Sequence, residues 1–181
     1  MTRRRVVTGH DESGRAVFVG DDAVSPIEVM LQTGSPMYRL WGGDETPSFP
    51  DDGSAPSAPA FFPSVDGFRF GIFTVAAASD TVSMPTDPKD VETAFAEMEA
   101  ALPGMLGHMD PDDPGMHTTD TIDFEVVLAG EVVLELDDGA TRTLAAGDTV
   151  VQNGTRHRWR NEGSEPAVLA FFMVGARRTR T

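Results

Sequence analysis

The chain has 181 residues, no cysteine and a formal charge of −15. Disulfides, thiolate nucleophiles and Cys-ligated metals are thereby excluded, and an electrostatic fit to nucleic acid or to an anionic membrane is disfavoured. A hydrophobic fraction of 40% suffices for one folded domain of this length, and no run of eighteen apolar residues is present to span a membrane. The charge is uneven: setting aside Arg3, Arg4, Arg5, Arg177, Arg178 and Arg180, eight bases face twenty-nine acids, which leaves −21 on residues 6–176. The six terminal arginines read as frayed, solubilising tails more simply than as a phosphate site. The basic start has no apolar stretch behind it, so no secretory signal is expected, and a cytoplasmic protein is.

In chain order, the first β-like runs are residues 15–19, 27–31, 37–41 and 68–73, predicting an N-terminal β extension over residues 1–80. Within it, residues 48–63 are rich in Pro, Ser, Gly and Ala and read as an exposed loop. A helix follows over residues 87–103. Asp87 is a good N-cap, Pro88 suits the first helical position, and Asp90 favours the helix dipole. Val91, Phe95, Met98 and Leu102 form one apolar stripe, and Pro103-Gly104 stops it. From 116 to 176 strand follows strand: 122–128, a Gly130 turn, 132–136, the turn Asp137-Asp138-Gly139, 141–144, Gly147-Asp148, 149–152, Asn153-Gly154, 156–160, and 167–174. The last run is nearly all apolar and is expected to be buried on both faces. Short strands with glycine turns at this spacing predict an all-β barrel or sandwich, with residues 1–181 as a single domain.

Two motifs make the prediction specific. The first is His117-Thr-Thr119-Asp-Thr-Ile-Asp123, then six residues to Gly130. The second is Gly147-Asp148 followed by Gly154-Thr-Arg-His157-Arg-Trp-Arg-Asn161. In order, separation and turn glycines they resemble the two motifs of the cupins, and the resemblance covers about residues 116–176. It implies the cupin double-stranded β-helix, a jelly-roll barrel, with the N-terminal extension packed on it. The phrases Thr8-Gly-His-Asp, Thr119-Asp-Thr-Ile-Asp123 and Val151-Gln-Asn-Gly-Thr-Arg-His157-Arg-Trp-Arg-Asn161 look like a bacterial and fungal cupin subgroup with such an extension, mostly of unassigned function.

Departures from the family pattern bear on chemistry. Thr119 stands where metal-binding cupins have a second His, Asp123 where they have Glu, and Gln152 where the second motif has Pro. Three histidines and a glutamate cannot be assembled from these positions. What remains is two imidazoles, His117 and His157, and one carboxylate, Asp123, a set that can hold non-haem Fe(II) with open positions. Strand parity points Asp123, Glu125 and Val127 one way, and His157, Trp159 and Asn161 likewise. Glu125 is costly at an inward position unless paired, protonated or cation-bound, and is expected to act as a fourth ligand or as a general acid/base, the alternative being a bulge that turns it to solvent. Thr119, Trp159 and Asn161 are expected to line a substrate.

The reading that follows is a metal-dependent enzyme acting on a small oxygenated organic molecule, with dioxygenase chemistry slightly favoured over decarboxylase or isomerase chemistry. Fe(II) is the favoured ion; zinc, manganese, nickel or no metal at all are the alternatives. The other class of function is a metal-free cupin that binds a small molecule or serves as an accessory protein. His108, beside Asp110, Asp112 and Asp113, reads as part of a solvated acidic loop rather than a lid, and Arg156, Arg158 and Arg160 as outer-face cover or partners of acidic loops. The apolar run 167–174 and the extra N-terminal strands predict a homodimer.

Overall fold

A computed structural model describes residues 2–80 and 85–179; Met1 and Arg180 of the termini discussed above lie outside the described residues. In chain order the strands are β1 (Arg3–His10), β2 (Ala16–Val24), β3 (Met37–Gly43) and β4 (Phe68–Val75), followed by the helix α1 (Pro88–Ala101). Then come β5 (Thr121–Ala129), β6 (Glu131–Glu135), β7 (Thr141–Ala145), β8 (Thr149–Asn153), β9 (Arg158–Arg160) and β10 (Ala167–Gly175). Three antiparallel sheets result: the β1-β2 hairpin, a five-stranded sheet in the order β3-β4-β10-β5-β8, and a three-stranded sheet β7-β6-β9. The two larger sheets are the walls of the all-β jelly-roll barrel, and β3 and β4, expected within an extension packed on it, are instead built into its five-stranded wall through the pairing of β4 with β10.

Burial alternates along the barrel strands as a pleat with one dry face requires. On β5, Thr121, Asp123, Glu125 and Val127 are buried while Phe124 and Leu128 are about half exposed. On β10, Ala167, Leu169, Phe171 and Met173 face inward. Phe172 does not: it is 40% exposed, so the run 167–174 is buried on one face and not on two. The reason lies in the register. Trp41, Phe70, Phe172, Phe124 and Val151 are cross-strand neighbours in one row over all five strands, on the outer face of the sheet. Gly130, which ends β5, needs its positive φ of 75°, and a Cβ there would meet the Pro166 carbonyl oxygen at 2.6 Å.

Other expectations are corrected by charge pairing and chain direction. Arg4, Arg5 and Arg178 are not frayed. Arg3–His10 is strand β1, with Arg4 bonded to Asp21 and Arg5 to Asp22 across the hairpin. At the other end Arg178 pairs with Asp120 and donates to the carbonyls of Thr119 and Gly154. Residues 27–31 form no strand. Ile27 makes a lone bridge to Met37 and Met30–Gln32 is a single 3-10 turn, because the chain must reverse at Gly34 (φ +78°) before entering β3.

The helix begins as expected, the Asp87 carboxylate accepting from the Lys89 N–H at 2.9 Å, but it ends at Ala101 with Leu102 as its cap. Its buried face runs through Ala94, Met98 and Leu102, whereas Phe95 is 39% exposed. Positions four apart stay on one face, and Phe95 is turned about 100° from Ala94, whose small side chain lets the helix lie close. Met98, Leu102 and Met105 pack with Phe61, Phe171 and Met173 in the main core. The loop 48–63 is therefore exposed only in part. Its end is pinned by Arg69, 3% exposed, which donates to the carbonyls of Gly43, Ala60 and Phe68 and to Asp44. No helix among the described residues is long and apolar enough to cross a membrane.

Candidate active site

A cavity of about 240 Å³ lies between the sheets, lined by His117, Asp123, Glu125, His157 and Trp159. A larger cleft between the β1-β2 hairpin and the outer sheet face holds Arg4, Arg5 and Asp44, but neither the imidazoles nor the buried acids. The imidazoles and the buried acids singled out by the sequence therefore gather in the smaller cavity. Its side chains come from segments that backbone pairing brings together. His117 and His157 are cross-strand partners: each donates its N–H to the other's carbonyl, at 2.9 and 3.0 Å, so their side chains leave on the same face. The ring centroids are 4.1 Å apart. On β5, Asp123 and Glu125 are two residues apart on the inward face, flanked on β10 by Met173 and Phe171.

Both imidazoles are oriented the same way. His117 Nδ1 donates to the Gly115 carbonyl at 3.1 Å and His157 Nδ1 to the Thr155 carbonyl at 2.9 Å. A carbonyl oxygen can only accept, so Nδ1 carries the proton and Nε2 is the basic nitrogen in each ring. Burial lowers the pKa of His117, with the Gly115 bond opposing and His108 adding to the fall. Burial, helped by His117, takes His157 down to about 4. Both rings are neutral at pH 7.

The carboxyls move the other way. Burial raises Asp123 to about 6 against the pull of the Thr121 hydroxyl, and burial plus the neighbouring Asp123 raises Glu125 to about 8. Among the described residues, Asp123 Oδ1 and Glu125 Oε2 have no hydrogen-bond partner, nor has Nε2 of Gln152, which stands opposite Asp123 on β8. Glu125 is 8% exposed and faces the cavity, so no bulge turns it to solvent. Two basic imidazole nitrogens and two orphaned carboxylate oxygens make a cavity rich in lone pairs and poor in donors. That donor set suits a divalent ion. Among the described residues, however, no three His, Asp or Glu side chains close into a ready ion-holding cluster. The imidazoles meet; the acids share their cavity without joining them.

The remaining site residues divide. Trp159 lines the cavity, its ring edge-on to His157 at 6.2 Å. Thr119 is buried but not among the lining residues, and its hydroxyl is spent on Thr121 at 2.7 Å. Asn161, expected to line the substrate, is not among the residues lining this cavity. Its amide nitrogen donates to the carbonyls of Val75 and Glu165 and its oxygen accepts from Gly163 N–H, so it fastens a turn. His108 is half buried, with Nδ1 on the Thr118 carbonyl and its ring against Phe62. Of the acids beside it, Asp110 and Asp113 are paired: Arg156 reaches Asp110, Asp113 and Asp137, and Arg158 reaches Asp113 and Glu135, the pairing with acidic loops expected of these arginines. Sequence reasoning missed Phe61, Phe62, Met105 and Met109 of the lining. The one available signal was the Phe-Phe pair at the end of a loop otherwise made of small residues.

Comparison with known proteins agrees with this architecture. Residues 105–174 match the family model described as the cupin domain. The cupin-domain-containing oxidoreductase srdD of Neurospora crassa is 30% identical over 173 residues, covering 94% of this chain and 74% of that protein. The chain belongs to the cupin family. Phomopsin biosynthesis cluster protein C' of Diaporthe leptostromiformis is 56% identical over 46 residues, 25% of this chain; that match spans 24% of the length of the curated relative. The Cnp3 cupin domain of Schizosaccharomyces pombe superposes with a TM-score of 0.47 at 10% identity, covering 97% of this chain and 89% of that one. In this cupin the matched region contains His117 and His157 as well as the two inward acids Asp123 and Glu125.

Proposed function

We propose that this cupin is a metal-dependent oxidoreductase acting on a small oxygenated organic molecule, with dioxygenase chemistry favoured. His117, His157 and Asp123 would hold the ion through Nε2, Nε2 and a carboxylate oxygen, Fe(II) being the favoured metal. The observation that carries the reading is the pair of neutral imidazoles, each anchored at Nδ1, in one cavity with two carboxyls whose oxygens lack partners. Anchoring the far nitrogen is what orients a ligating histidine and fixes its tautomer. When bound, the ion supplies Lewis acidity toward an oxygenated substrate and, as Fe(II), reactivity with dioxygen. Relatives that carry the name oxidoreductase support the redox assignment.

The chain's own residues do the rest. Glu125, raised to about 8, holds a proton at neutral pH and can lend it to a substrate oxygen. Trp159 positions the organic body beside His157, and the buried Phe61, Phe171, Met105 and Met173 exclude water.

Elemental analysis of protein purified without a metal-affinity tag tests the reading. Near-stoichiometric metal, lost in His117→Ala and in His157→Ala, is the expected result. Metal-free protein that takes up none on reconstitution with Fe(II), Zn(II), Mn(II) or Ni(II) refutes it. A metal-free binding or accessory protein is the second reading. Thr119 favours it, because a hydroxyl closed onto Thr121 stands where metal-binding relatives have a ligand.

A further inference from the structure

We propose that the barrel cavity takes a neutral, largely apolar molecule about the size of one substituted ring, and turns away carboxylates and phosphates. This rests on the reading above only in taking the cavity as the substrate site. Charge is the first argument. Among the described residues no lysine or arginine lines the cavity, while two carboxyls, Asp123 and Glu125, already do. An anionic ligand would give up its hydration there and find no counter-ion among the lining residues.

The nearby cations cannot swing in to help. Arg156 is held by three carboxylates, and Arg158 by Asp113 and Glu135. Arg69 is committed to backbone carbonyls and Asp44, and Arg39 to the carbonyls of Ala58 and Ala60. Releasing any of them would strand buried acceptors or acids.

The lining sets the ligand's body. Phe61, Phe62, Phe171, Met105, Met109 and Met173 present rings and flexible thioethers, a surface that accommodates apolar shapes and offers no directed hydrogen bond. The polar groups cluster at His117, Asp123, Glu125 and His157, so the ligand carries its oxygen function on one side. A volume of about 240 Å³ is below the roughly 300–1,000 Å³ usual for drug-sized ligands, which limits the molecule to a single small ring system.

Isothermal titration of chelator-treated full-length protein at pH 7.5 with 4-propylphenol and with 4-propylbenzoate tests this. The phenol is expected to bind at least tenfold more tightly. Gln32→Lys, which places an ammonium at a half-buried lining position, is expected to strengthen benzoate binding relative to phenol binding at least threefold. Benzoate binding as tight as the phenol, or binding of neither, overturns the proposal, as does a Gln32→Lys variant whose benzoate affinity does not move relative to that for the phenol. Metal content is measured on the same preparations before chelator treatment and again after reconstitution with Fe(II). A protein that takes no metal but keeps the phenol preference retains this inference and loses the metalloenzyme reading; one that takes metal and favours the benzoate does the reverse.

Discussion

Glu125→Gln should make the metal-free protein less sensitive to alkaline pH. The side chain is 8% exposed, and burial together with Asp123 raises its pKa from 4.5 to about 8. Below pH 4.5 the carboxyl is protonated in both the folded and the unfolded chain, so it adds no pH dependence. Between about 4.5 and 8 the unfolded chain releases the proton while the folded chain keeps it, and stability falls as pH rises. Above about 8 both are ionised and the loss is complete. A displacement of this size corresponds to roughly 5 kcal/mol. Glutamine mimics the protonated acid in shape, so the variant is expected within about 1 kcal/mol of the parent at pH 5. By pH 9 it should be more stable by up to roughly 5 kcal/mol. With a urea slope of about 1–3 kcal/mol/M, that is a midpoint displaced by roughly 2–5 M. The assay is urea denaturation from pH 4.5 to 9 with chelator present, because a bound cation would offset the charge. Asp123, raised to about 6, titrates in both proteins and cancels in the difference. Parallel stability curves for parent and variant would refute the reasoning, since they require Glu125 to be solvated in the folded chain.

Arg69→Met should destabilise by about 2–4 kcal/mol in chemical denaturation, because it strips charged donors from three backbone carbonyls and leaves Asp44 without its partner; an unchanged midpoint would show that water replaces them freely. The aligned apolar row Trp41, Phe70, Phe172, Phe124 and Val151 on the outer sheet face is expected to dock on a second copy of this chain, a self-complementary apolar contact that brings few like charges together. Light scattering should then give a dimer mass at micromolar concentration and a monomer mass for Phe124→Glu/Phe172→Glu; a monomeric parent refutes it.

The barrel strands were legible because their evidence is local. Alternation on residues 121–129, glycines at Gly130 and Gly154 and the cap at Asp87 each act over a few residues, and β5, β10 and the start of α1 lie within a residue or two of where these signals put them. Strand parity also sufficed for the inward direction of Asp123 and Glu125, since a pleat leaves two choices and Val127 settles which face is dry. Other features depend on partners distant in the chain. Three consecutive arginines look like a tail until Asp21 and Asp22 are placed across from them. Phe95 looks like core until Ala94 is seen to be the residue that lets the helix approach. Phe172 looks buried until the outer face of its sheet is found without a covering layer at Phe124 and Val151. By itself, then, the sequence determined an all-β barrel or sandwich, because periodicity and turn chemistry are properties of the chain alone, and its resemblance to the cupins singled out the jelly roll, the two histidines and the acids worth considering. Tertiary structure alone decided that the imidazoles share one face with both Nδ1 atoms anchored, that Asn161 serves a turn, and that Phe and Met side chains from a loop and a helix end close the cavity. Burial, desolvation and hydrogen-bond partnership are created only when distant segments meet.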